Sequence, residues 1–215
     1  MALPNSLRWA NTIAVIVGLQ LTIASVVDFR IALNIDNLEQ FGDESQFQSL
    51  QPSLAAQREI LLAQRSGLQT AITGMRPWRL AVEALLAASG VIVFVMALRL
   101  RIASEGRPEI AHWLGRAAIG AAVFRAIDGA QGLVIARTVT ASVVPVLAKS
   151  PPPAVQQSAE QAHLPIEDAL AAVTGAASVV NVLLSLLVVA IFMGLATYFR
   201  SERLRDALVK EEPVG

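Results

Sequence analysis

The chain has 215 residues, 54% of them hydrophobic and only 16% charged, and its formal net charge is zero. A soluble domain carries about 25% charged residues, so this composition points away from one, and the balanced charge removes the electrostatic case for a nucleic-acid partner. The absence of cysteine excludes disulfides, thiolate metal sites and a cysteine nucleophile.

The first apolar span covers residues 9–30, WANTIAVIVGLQLTIASVVDFR, with Gln20 in mid-span. It reads as a retained membrane helix. Only Arg8 precedes the apolar run, and no small-x-small cleavage site follows it before Asp28. Residues 31–75 form the longest polar stretch. Gly42 and Pro52 break its acidic first part, and Ser53 is placed to cap a helix over the second. On that helix Leu54, Leu61, Leu68 and Met75 recur every seven residues, with Ile72 beside them. The alternate heptad positions hold Arg58 and Arg65, so the apolar stripe is narrow. The segment is expected to pack on the chain's own first external part; half of a helical hairpin or a weak self-association seam is the alternative.

Pro77 and Trp78 mark the start of the second span, residues 78–100, and Glu83 lies roughly 7–8 Å inside Trp78 at 1.5 Å per residue. A basic connector follows, which Gly106 and Pro108 are expected to break. The third span covers residues 113–136 and carries Arg125 and Asp128 in its middle. A charge near the centre of a membrane helix is disfavoured by roughly 2.5–3.5 kcal/mol on insertion scales, so such residues turn inward and find partners. At 100° per residue Ala118, Ala121, Arg125, Asp128, Gly132 and Ala136 share one stripe, while Ile119, Val123, Phe124, Ile127 and Val134 fall mostly on the other side. Small residues let membrane helices approach closely, so the charged stripe is also the packing stripe. Arg125 and Asp128, spaced i,i+3, can touch. The apolar pattern runs on to Leu147, with Arg137 and Pro145 suggesting projection beyond the membrane. Residues 145–168, with PPP and QQSAEQAH, read as an external loop. The fourth span covers residues 173–199, Asn181 being its main polar residue. The tail from Ser201 reads as a short charged helix or a frayed end.

With the N-terminus inside, the inner segments carry nine basic residues and the roughly twofold longer outer segments carry seven, which favours cytoplasmic N- and C-termini. Depth counted along each helix places Gln20, Glu83, Arg125, Asp128 and Asn181 near one level. The sequence therefore predicts a buried polar cluster of these five residues with Arg125 at its hub, because a guanidinium fork can bond two carboxylates. Two acids and one base leave a charge to be completed by a proton, a cation or a partner.

No P-loop, dinucleotide-binding or HExxH motif is present, and no nucleophile–histidine arrangement. His112 and His163 fall on opposite predicted membrane sides, so the sequence offers neither a bis-histidine haem site nor a His-rich metal site. No catalytic residue, metal or cofactor is expected. The expected fold is an all-α integral membrane protein. It would be one domain over residues 1–215: a four-transmembrane-helix bundle with an extracytoplasmic helical insertion between helices 1 and 2. The expected setting is a bacterial cytoplasmic membrane. The leading functional expectation is a non-enzymatic accessory or assembly subunit whose partners are the lipid bilayer and other membrane subunits, or a second copy of itself. The alternatives are a channel or transporter subunit with an ion or proton site at Glu83, Arg125 and Asp128, and a membrane sensor.

Overall fold

The structure, a computed structural model, describes residues 5–36, 55–103, 105–149, 151 and 153–211. The described secondary structure is entirely helical. Four helices are long and apolar enough to cross a membrane: α1 (Asn5–Leu33), α2 (Ala55–Ile102), α3 (Arg107–Lys149) and α5 (Ile166–Phe199). Two short helices join them, α4 (Pro153–Ala162) and α6 (Glu202–Glu211). Gly42, Pro52, Ser53 and Leu54 lie outside the described residues.

Helix α2 has 48 residues and α3 has 43, or about 72 and 64 Å at 1.5 Å per residue. Both exceed the ~30 Å hydrocarbon core of a bilayer. Pro77 and Pro145 lie inside these helices without ending them. Each removes one backbone donor, a loss the surrounding turns tolerate here. Pro108 likewise sits in the first turn of α3, where its missing N–H has no intrahelical acceptor anyway. The break between α2 and α3 falls at residues 103–106. Gly106 adopts a left-handed φ of 69°, and its carbonyl accepts the first α3 bond from the Ile110 N–H at 3.1 Å.

Residues 145–168, expected as a loop, are largely helical. Helix α3 continues to Lys149, and α4 occupies Pro153–Ala162. The run AVQQSAEQA holds good helix formers, and Pro153 stands at the first position, where a fixed φ suits a helix start. The helix closes on His163, which has φ 53°. The Leu164 N–H reaches the Ala159 carbonyl and the His163 N–H reaches that of Glu160, the paired bonds of a Schellman ending.

The chain divides into two compact units. The first holds Met1–Phe29, Leu80–Asp128 and Ser185–Gly215; the second holds Arg30–Arg79 and Gly129–Leu184. In the first unit the buried positions of α1 are Leu7, Asn11, Ala14, Gly18, Leu21 and Ser25. Their alternating spacing of four and three is that of a heptad seam. The seam meets α2 closely: a Cβ on Gly18 would fall 2.9 Å from the Phe94 nitrogen, and one on Gly90 2.9 Å from the Gly18 carbonyl oxygen. Only residues without a side chain permit such backbone contact. Leu86, Val93, Ala97 and Leu100 of α2 continue the same core with Leu114, Ala118 and Ala121 of α3 and Phe192 and Ala196 of α5. The tail forms α6, which buries Leu204 and Leu208 in this core. Its first turn is capped by the Ser201 hydroxyl, which accepts from the Leu204 N–H at 3.4 Å.

In the second unit the buried line of the early α2 is Gly67, Ala71 and Ile72. Leu61 is exposed, and Leu68 and Met75 are half-buried. This departs from the expected leucine stripe, and the reason is steric. A Cβ on Gly67 would lie 2.8 Å from the Ser142 hydroxyl oxygen and 2.9 Å from the Val139 Cα, so α2 packs on α3 through its small residues. The end of α1 is held in this unit by Arg76, which donates to the Asp36 carboxylate and, at 2.6 Å, to the Leu33 carbonyl. A cation at a helix C-terminus satisfies otherwise orphan carbonyl groups.

Candidate functional site: buried charges and a polar-lined groove

The small-residue stripe of α3 is buried from Ala118 to Asp128, while Gly132 and Ala136 beyond it are only half-buried. Ala118, Ala121 and Asp128 are buried, whereas Val123, Ile127 and Val134 are exposed. Helical spacing places Arg125 and Asp128 on that same side, and the Arg125 guanidinium donates to the Asp128 carboxylate. Asp128 is the deeper of the two, while Arg125 is half-buried. The Arg125 Nε is buried without a hydrogen-bond partner among the described residues, so the pair does not use the whole guanidinium fork.

Glu83 on α2 is 1% exposed, in the same unit as Arg125 and Asp128. A carboxylate removed from water so completely is stable only with compensating interactions or with its proton retained. These three groups provide a buried set of two carboxyls and one guanidinium in one unit.

The other two residues of the expected cluster differ. Gln20 is an exposed side chain on α1, and Asn181 is an exposed side chain of the second unit. The physical reason is rotation about the helix axis. Gln20 follows the seam residue Gly18 by two positions, about 200° around the helix, and so points away from the packed face. Depth along a helix does not determine that angle.

On α5 the exposed Asn181 continues a polar line. Thr174, Ser178 and Asn181 are spaced by four and three residues, so they share one side of an otherwise apolar helix. Thr174 donates to the Leu170 carbonyl at 2.8 Å and Ser178 to the Thr174 carbonyl at 3.0 Å, the usual self-satisfaction of hydroxyls in membrane helices. Asn181 makes no such bond among the described residues. Beside this line runs an open groove of about 550 Å³ between α3 and α5, lined in part by Thr140, Ala141, Ala171, Thr174, Gly175 and Ser178. A Cβ on Gly175 would meet nothing within 4 Å. Around it Val179, Val180, Leu183 and Leu184 are all more than half exposed.

Sequence reasoning missed four of the buried polar residues: Asn11, Ser25, Arg79 and Ser89. Asn11 and Ser25 occupy the α1 seam, and Arg79 is buried in its own unit. The heptad spacing of Asn11 with Leu7, Ala14 and Leu21 was the available signal for the first. No protein-family model, curated protein or solved structure matches the chain.

Proposed function

We propose that this chain is a non-enzymatic multi-pass membrane protein, an accessory or assembly subunit that docks other membrane subunits against its helices. It is a four-helix bundle of the bacterial cytoplasmic membrane. The termini are cytoplasmic, and an extracytoplasmic helical insertion lies between the first two spans. The reading rests on one observation: Asn181 is exposed on α5, on the side where the half-buried Thr174 and Ser178 line an open groove of small residues. In hydrocarbon an amide gains from any partner it can reach, and measured contributions are about 0.6–2 kcal/mol per interhelical hydrogen bond. Small residues let a second backbone approach closely enough to supply that partner. Gln20 on α1 is a second outward amide of the same kind.

The test is recovery of the complex from the native membrane in mild detergent. Asn181→Leu and Gly175→Leu leave this chain folded and reduce the foreign subunits that co-purify with it. Unchanged recovery in both variants contradicts the docking role.

The buried carboxyls favour a second reading, a channel or transporter subunit with an ion or proton site at Glu83, Arg125 and Asp128. Intramembrane ionisable residues commonly mark such pathways. It requires Asp128 to change charge, so Asp128→Asn would abolish flux through the reconstituted protein while leaving it folded.

A further inference from the structure

A second cavity, unrelated to the α5 groove, lies within the first unit. It has a volume of about 440 Å³, inside the range of about 300–1,000 Å³ typical of small-molecule sites. Its walls come from the start of α3 and the junction of α5 with α6. The polar side chains lining it are Glu109 and His112 on one wall and Arg200, Ser201 and Arg205 on the other, with Trp113 and Phe199 as its apolar surfaces. Neither Arg200 nor Arg205 makes an ion pair among the described residues. Ser201 is already engaged in capping α6 and in donating to the Tyr198 carbonyl. Two guanidinium groups and an imidazole thus share one cavity with a single carboxylate.

Arg200 is exposed, but its aliphatic stem is packed. Its stem lies against Gly115: a Cβ there would fall 2.6 Å from the Arg200 Cγ. A glycine at that point of α3 lets the arginine lie flat on the helix at the cavity wall.

The location selects among anions. Phe199 is the last residue of the apolar helix α5, and Trp113 stands exposed beside the cavity with the Arg116 guanidinium 5.1 Å above its ring. Exposed tryptophan at the end of an apolar span marks the headgroup level of a bilayer. Basic pockets between helix ends at that level suit acidic lipid headgroups, and guanidinium matches phosphate geometry with two parallel bonds.

We infer that the cavity between the α3 start and the α5–α6 junction binds the phosphate of an acidic phospholipid through Arg200 and Arg205. This site is independent of the docking role proposed above.

The test is native mass spectrometry of the delipidated full-length chain in mild detergent, titrated with phosphatidylglycerol or with phosphatidylcholine. Both lipids carry the phosphate, but the choline cation of phosphatidylcholine is repelled by the two guanidinium groups, so phosphatidylglycerol is retained about tenfold more tightly, or about 1.4 kcal/mol. The double variant Arg200→Gln, Arg205→Gln removes that preference. Glu109→Gln, a change of one exposed carboxyl, increases it and provides an arm that does not depend on removing either arginine. An excess of soluble glycerol phosphate leaves the lipid bound. Equal retention of the two lipids, an unchanged preference in the double variant, or a fall in Glu109→Gln overturns the inference. Displacement by glycerol phosphate does so too, and reassigns the cavity to a soluble phosphate compound.

Discussion

At the scale of single residues, the Arg125–Asp128 pair shows why a charge can be tolerated inside an apolar helix. Each ion is costly to remove from water, and together they neutralise one another on the packed side of α3. Truncating one partner leaves the other uncompensated. Arg125→Ala is therefore expected to destabilise the protein by on the order of 3 kcal/mol, read as a lower midpoint in a denaturant titration of the detergent-solubilised chain. Arg125→Lys recovers only part of that loss, because an ammonium lacks the planar fork. A wild-type midpoint in Arg125→Ala would show that the pair contributes nothing to the fold. This pair was legible in the sequence because small residues and charges fell on a single stripe of α3. The outward positions of Gln20 and Asn181 were not, since counting residues from an interface gives depth but leaves rotation undetermined. The spacing of Asn181 with Thr174 and Ser178 would even place it on their half-buried, groove-lining side of α5, yet it is exposed.

Whole helices were easier to read than their packed faces. All four apolar spans could be found from hydropathy, yet the α1 seam could not. Ile13, Ile16 and Ile23 are exposed while Ala14, Gly18 and Leu21 are buried. In a membrane helix the lipid-facing side is as apolar as the packed side, so the contrast that marks a core in water disappears. Size replaces polarity as the signal. Gly18 and Gly90 identify the α1–α2 contact, and Gly67 identifies the contact of α2 with α3 in the second unit. Gly18→Leu or Gly90→Leu is expected to destabilise by about 1–3 kcal/mol, the usual cost of overpacking. Gly132→Ala, where nothing lies within 4 Å of the new Cβ, is expected to be neutral or to stabilise by roughly 0.5–1 kcal/mol through helix propensity. Thermal unfolding of the four proteins side by side separates the two classes; equal midpoints would refute the close approach. The tail follows ordinary rules of amphipathic helices. Leu204 and Leu208 of α6 lie four apart and both face the core, so Leu208→Ala is expected to cost about 2–5 kcal/mol. It should also expose the tail to limited proteolysis, and an unchanged cleavage pattern would mean that α6 is not anchored there.

At the scale of the whole molecule, buried charges and exposed amides occupy different places. The inward groups, Glu83 and the Arg125–Asp128 pair, belong to the first unit. The exposed amides Gln20 and Asn181 have no hydrogen-bond partner among the described residues and are where a docking subunit would meet its partners. Native mass spectrometry of the complex extracted in mild detergent from its own membrane tests this most directly. The account predicts a mass equal to this chain plus foreign subunits, and a loss of those subunits from the Asn181→Leu variant. A lone chain or a pure homo-oligomer, with Asn181→Leu behaving as wild type, would contradict it and move the weight to ion flux through the buried carboxyls.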